Sequence, residues 1–444
     1  MPHSVVLKNG TLVNEGRAFE GDLAIDGQRI SQVGGTAEGQ TEIDVNGAWV
    51  IPGMIDDQVH FREPGFEHKG EIATESRAAV AGGITSYMEM PNCVPQTINE
   101  DRLRAKIARA KDVSHANYGF YLGATNDNLE AIKSVDPNLA CGVKVFMGAS
   151  TGNMLVDDEE TLNGIFASCP ILIATHCEHT PTIIENERAA LAEFGEDMPP
   201  SQHPLIRSRE ACFKSSEIAV SLAKEHGSKL HILHLTTADE MVLFEPGPIS
   251  TKRITAEVCV HHLFFNDAWY ESKGAWIKCN PAIKRRADQL ALRKALLEDR
   301  IDVIATDHAP HTIAEKQQPF ALAPAGLPLV QHALLALFEH AIEGIFDVPT
   351  LVRKTSHAPA ELYDVAERGY LREGYFADIV VVDSAQSTSI DDEPILAKCG
   401  WSPFAGITFA SRVTNTFVNG TLVFDGTDVI DTPQGQALTY ERSG

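Results

Sequence analysis

Between residues 54 and 306, short apolar runs alternate eight times with stretches of helical period, and that alternation leaves few folds open. The strand candidates span 54–59, 85–90, 118–123, 142–147, 171–175, 230–235, 254–259 and 301–306. Helical candidates between them span 71–81, 100–111, 181–194, 209–225 and 287–298. Strands that pair in parallel need long crossovers, and a helix packs each crossover back onto the sheet. Eight such units predict an α/β chain with a closed (β/α)8 barrel, the TIM barrel, over residues 53–365.

A barrel of this kind takes ~250 residues or more, and the chain has 444. The remainder lies at both ends and has a different texture. Short strand candidates at 4–7, 11–13, 21–25 and 29–33 are punctuated by Asn9-Gly10, Asp26-Gly27 and Gly34-Gly35, as hairpins require. Residues 377–382, 412–418 and 421–424 repeat that texture, with Asn419-Gly420 as a turn. The two ends, residues 1–52 and 366–444, are therefore expected to assemble one small β-sandwich.

The formal charge of −24, with no Lys/Arg-rich block, repels phosphate backbones and anionic membrane surfaces. Nucleic acid and membrane are excluded as expected partners, which leaves a small molecule. No run approaches the roughly 18 apolar residues of a membrane span, and no export signal is recognisable. The eight cysteines, at 93, 141, 169, 177, 212, 259, 279 and 399, show no C-x-x-C spacing, so reduced thiols and a cytoplasmic location are expected. The oligomeric state is left open, a homodimer included.

Chemistry enters through what sits near the strand ends: His60 and Arg62, Asn92, Lys144, His176, His234 and Asp307. In a barrel those ends share one rim, so residues far apart in sequence become one cluster. Each has an ordinary reading too. A lone histidine ending an apolar strand is more often structural than a ligand, a lysine there snorkels to the rim, and an aspartate caps the next helix. Together, however, Lys144, His176 and His234 supply the three protein ligands that a catalytic zinc keeps while leaving a position for water. Burial of Lys144 favours its neutral amine, the form able to react with carbon dioxide. Arg62 offers a planar fork suited to a carboxylate, and Asn92 and Asn280 offer amide donors.

The run Pro52-Gly53-Met54-Ile55-Asp56-Asp57-Gln58-Val59-His60-Phe61-Arg62 strongly resembles the amidohydrolase superfamily, its dihydroorotase branch in particular. That branch reads Pro-Gly-hydrophobic-Ile-Asp-x-His-x-His-x-Arg here. The stretch Thr306-Asp307-His308-Ala309-Pro310-His311 matches the family almost letter for letter. The resemblance covers roughly residues 50–420 and implies a metal-dependent cyclic amidohydrolase holding one or two Zn²⁺ ions. It implies His60, Lys144 as a carbamate, His176, His234 and Asp307 as metal ligands, and Asp307 as the catalytic proton carrier. Arg62, Asn92, Asn280 and His311 would bind substrate, while His179 and His231 match no ligand position. The reaction implied is the reversible, zinc-dependent closure of N-carbamoyl-L-aspartate to (S)-dihydroorotate, a step of pyrimidine biosynthesis.

Some letters depart from the family pattern. Gln58 stands where the branch has its first histidine, and a neutral amide binds Zn²⁺ less well than imidazole. Asn280-Pro281-Ala282-Ile283-Lys284 replaces the usual Asn-Pro-Pro-Leu-Arg, and residues 324–328 keep a loop glycine, Gly326, in altered surroundings. Two alternatives therefore stand beside the main reading: a hydantoinase- or allantoinase-like enzyme, and a non-catalytic scaffold. Residues 179–204 and 312–325 are long enough to serve as lids.

Overall fold

The computed structural model describes residues 2–148 and 154–442. All eight expected barrel strands form: Met54–Val59, Ile84–Glu89, Asn117–Phe120 continuing as Leu122–Gly123, Val143–Phe146, Ile173–His176, Leu230–Ile232, Ile254–Cys259 and Val303–Ala305. Neighbours pair in parallel throughout. The ring closes where Val59 bridges His308 and the His60 N–H donates to the His308 carbonyl at 2.7 Å. The third strand is interrupted at Tyr121, whose hydroxyl reaches inward to the Asp57 carbonyl at 3.0 Å. Nearly every residue of these strands is buried, because helices cover one face and the barrel interior the other.

The helices carry start signals that the sequence spells out. The Asn99, Asp158 and Ser208 side chains each accept the N–H three residues on, capping Glu100–Val113, Glu159–Ser168 and Arg209–His226. Gly227, at φ 69°, adopts the left-handed conformation that ends the last of these. Among the described residues no helix is long and apolar enough to cross a membrane.

Both chain ends join in one β-rich unit. Its eight strands form a single hydrogen-bonded sheet in the order Thr421–Phe424, Arg412–Val418, Ile379–Asp383, Trp49–Pro52, His3–Asn14, Arg17–Asp26 and Arg29–Val33, with Gly39–Asp44 beside His3–Asn14. Strand His3–Asn14 changes partner along its length: its first half pairs with Gly39–Asp44 and its second with Trp49–Pro52. A register shift after Leu7, with Asn9 at φ 57°, marks the change. One apolar cluster, including Leu12, Leu23, Ile30, Val50, Ile379 and Phe417, is shared by strands from both ends, so the continuous sheet wraps a core of its own.

The strand Trp49–Pro52 leads directly into the first barrel strand, so the sheet fixes where the barrel begins. Gly53 sits at that joint because a Cβ there would lie 2.1 Å from Thr85 Oγ1. The two lid-length segments are both fastened. Residues 179–204 contain the helix Thr180–Phe194, held by a small cluster of Ile183, Ala190, Met198, Ile206 and Ala211. Residues 312–325 begin with a capping box of Thr312 and Glu315, and Lys316 Nζ donates to the Pro324 carbonyl at 3.0 Å and the Gly326 carbonyl at 3.1 Å.

Candidate active site

The strand ends converge as their positions imply. Gln58, His60, Arg62, Asn92, Lys144, Phe146, His176, His234, Asn280, Asp307 and the 325–326 loop line one cavity at the carboxyl rim of the barrel. Of the residues singled out in the sequence, only His311 stands back from this wall. Its Nε2 lies 3.0 Å from the Ala325 carbonyl, its Nδ1 3.2 Å from Lys69 Nζ, and Arg62 Nη2 is 3.2 Å from the ring. Burial, together with Arg62, Lys69 and Lys316, pushes the His311 pKa far down, so the ring is a neutral brace behind Arg62. Gly326, at φ 144°, makes room for it, since a Cβ there would lie 2.9 Å from the His311 ring.

Three residues of the site hold backbone that L-residues seldom adopt: Arg62 at φ 73°, His234 at 41° and Asp307 at 51°. Such conformations cost about 1–3 kcal/mol each and persist where surrounding structure enforces them, which happens most often at functional sites. The enforcing contacts are visible. The His234 N–H donates to Glu257 Oε1 at 2.9 Å, and the Thr306 N–H and hydroxyl donate to Asp56 at 3.0 and 2.6 Å. Asp56 and Glu257 went unnoticed in the sequence reading, although Asp56 lies within the first-strand motif itself.

The donor atoms face one another at distances that suit a cation between them. The His60 Nδ1–H donates to Asn92 Oδ1 at 2.8 Å, which turns the Nε2 lone pair toward Asp307 Oδ1 at 3.2 Å. Two acceptors so placed repel unless a positive charge lies between them. His176 Nδ1 and His234 Nε2 are 3.0 Å apart, and among the described residues His176 Nε2 makes no hydrogen bond although Glu178 Oε2 lies 3.2 Å away. Burial lowers the pKa of all three imidazoles, keeping them in the neutral form a metal requires. The nitrogen and oxygen donors of His60, Lys144, His176, His234 and Asp307 therefore fit a divalent first-row cation.

Lys144 is buried, yet among the described residues no carboxylate pairs with its ammonium, which lies 4.8 Å from the centre of the Phe146 ring. Burial brings its pKa down to about 8, against the opposing pull of Asp307 and Glu257. The amine is thus far more nucleophilic than a surface lysine at neutral pH. Glu178 behaves oppositely. Burial would raise its pKa, but Arg207 above all holds it down to about 2, so it stays ionised beneath His176. Arg207 comes from a segment with no recognisable pattern, and no sequence signal marks it.

Gln58 does not present its amide oxygen to the other donors. Its Nε2–H donates to Asp307 Oδ1 at 3.1 Å, and its oxygen is turned toward the Cys259 thiol, 3.9 Å away. On the far wall Arg62 Nε donates to the Pro310 carbonyl at 3.1 Å, which fixes the guanidinium plane. Asn280 Oδ1 is buried without a partner among the described residues.

Comparison with known proteins agrees with this geometry. The amidohydrolase family profile matches residues 49–423. A dihydroorotase of Halobacterium salinarum is 33% identical, covering 92% of this chain and 94% of that protein. An allantoinase of Bacillus velezensis is 30% identical, covering 96% and 94%. Among solved structures, the L-hydantoinase of Arthrobacter aurescens superposes with a TM-score of 0.92 over 98% of this chain and all of its own, at 24% identity, which speaks for the fold alone. The barrel, the converged donor set and the near-complete sequence match lead to one conclusion: the chain belongs to the amidohydrolase family of metal-dependent enzymes.

Proposed function

We propose that the protein is a zinc-dependent dihydroorotase. The observation that carries the reading is Arg62, an oriented guanidinium in the cavity wall with the amides of Asn92 and Asn280 beside it, facing the donors of Lys144, His176, His234 and Asp307. That arrangement suits a small cyclic amide bearing a carboxylate. The 33% identity to a dihydroorotase supports it. In this reading the substrate-binding residues are Arg62, Asn92 and Asn280, with His311 acting through Arg62.

His60, Lys144, His176, His234 and Asp307 would hold one or two Zn²⁺ ions. Bound there, the metal would polarise the ring amide carbonyl and acidify a water. The neutral amine of Lys144 adds to carbon dioxide: an N–C bond forms, a proton leaves to solvent, and the resulting carbamate offers two oxygens that share one negative charge. Asp307, oriented by the Gln58 amide, takes a proton from water as its oxygen bonds to the carbonyl carbon. It returns that proton to the ring nitrogen as the C–N bond breaks, and the new carboxyl group loses its remaining proton. Ring closure runs the same transfers backward, with Arg62 and the two asparagines holding the chain near its cyclic shape. Eight free cysteines fit a cytosolic enzyme.

A second reading is favoured by a specific observation: a relative 30% identical over 96% of this chain is named an allantoinase. Turnover of dihydroorotate, hydantoin and allantoin by the zinc-loaded protein separates the two. Dihydroorotate is expected to be the best substrate by kcat/KM, and preference for either other ring overturns the assignment. A scaffold without chemistry, suggested by Gln58, would turn over none of the three.

A further inference from the structure

Below the rim, inside the barrel, a further set of donors converges. We propose that Asp57, His231 and Glu257 form a divalent-metal site in the barrel core, separate from the cavity above it. The three side chains come from the first, sixth and seventh strands, and each is fully buried. One nitrogen and two carboxylate oxygens lie within 4.8 Å of one another.

The protonation of His231 follows from its surroundings. Thr255 donates its hydroxyl proton to the Leu230 carbonyl at 3.2 Å, so its Oγ1 can only accept from His231 Nδ1, 2.8 Å away. Nδ1 therefore carries a hydrogen, and in the neutral ring Nε2 is a bare lone pair. That lone pair faces Asp57 Oδ2 at 3.3 Å and Glu257 Oε2 at 3.5 Å. Three acceptors in a dry interior repel, so either a proton or a metal ion lies among them; against the effect of burial, Asp57 and Glu257 raise the His231 pKa to about 9 in the metal-free state.

Distance separates a proton from a metal ion. A protonated ring draws a carboxylate to about 2.7–2.9 Å. The same barrel supplies the comparison: the His308 Nε2–H donates to Glu75 at 2.8 Å, its Nδ1 being occupied by the Leu329 N–H. His231 holds neither carboxylate that closely, and Asp57 Oδ1, His231 Nε2 and Glu257 Oε2 all lack a hydrogen-bond partner among the described residues. A tetrahedral ion with bonds of about 2.1 Å sets its ligands roughly 3.4 Å apart, close to the 3.3 and 3.5 Å that separate His231 Nε2 from the two carboxylate oxygens. Both carboxylates are also held from outside, as ligand carboxylates usually are. Asp57 Oδ2 accepts from the Tyr363 hydroxyl at 2.9 Å and Glu257 Oε1 from the His234 N–H at 2.9 Å. One imidazole and two carboxylates suit Zn²⁺ or a neighbouring first-row ion.

The test uses crystals of the full-length protein grown with zinc chloride, with anomalous difference maps recorded on both sides of the zinc edge. A peak among Asp57, His231 and Glu257, apart from any in the cavity, is the expected result. Asp57→Asn should then lose one equivalent of zinc per chain by elemental analysis while cavity peaks persist. Cavity peaks with an empty core in the wild-type map would overturn the proposal, as would ring ¹⁵N shifts showing both nitrogens of His231 protonated. Because the readout is metal at a stated place, a protein that turns over no cyclic amide leaves this result intact.

Discussion

Two buried polar clusters in this molecule are built on opposite principles. At the junction of barrel and terminal sheet, Arg368 pairs with Asp378 and donates to Asn419 Oδ1 at 2.8 Å. Asn419 donates to Asn117 Oδ1 at 2.8 Å, and Asn117 donates back to Asp378 at 3.1 Å. None of the four has a buried side-chain nitrogen or oxygen without a partner. At the rim, by contrast, His176 Nε2 and Asn280 Oδ1 lack partners among the described residues, His60 and Asp307 face each other across 3.2 Å, and three residues hold positive φ. A satisfied network is what structure requires, whereas an under-satisfied one is stable only when something else completes it. The contrast supports the reading of the rim as the place where a metal and substrate would bind.

The contrast breaks most visibly under single substitutions. Asp307→Asn keeps the shape of the side chain and removes the base, so kcat for dihydroorotate should fall by roughly 10²–10⁴-fold with the melting temperature nearly unchanged. Asp378→Ala should do the reverse. Leaving Arg368 buried and unpaired should cost about 3–5 kcal/mol of unfolding free energy in urea, with kcat of the folded fraction preserved. Were Asp378→Ala to lower kcat while sparing stability, the division between the two clusters would be wrong.

Smaller effects sharpen it. Asn92→Ala removes the acceptor that orients His60, and zinc affinity measured by competition with a chromogenic chelator should drop about 10–100-fold. Gln58→His exchanges a hydrogen bond to Asp307 for a metal ligand, so zinc retained after dialysis should rise modestly. Unchanged occupancy would mean that Gln58 was never at the weak position.

Much of this was legible in the sequence, and for physical reasons. Parallel barrel strands are buried on both faces, so they read as continuous apolar runs, and all eight were found. The rim residues follow those runs, so finding the strands located His60, Lys144, His176, His234 and Asp307 as well. What stayed hidden depends on pairing between distant segments. That the two ends join was expected from their shared texture, but not which strands pair: Trp49–Pro52 lies against Ile379–Asp383, some three hundred residues on, and nothing local announces that pairing. Glu178 and Arg207 meet only through the fold, and so do Asp57, His231 and Glu257. Tyr121 interrupts the third strand through a contact with Asp57, which no periodicity encodes.

The account rests on the rim cluster needing a metal to work. Its most direct test is dihydroorotate hydrolysis by the purified protein before chelation, after exhaustive chelation, and after return of zinc with bicarbonate. Turnover should vanish with the metal and recover with it. Turnover that survives chelation at undiminished rate would contradict the account.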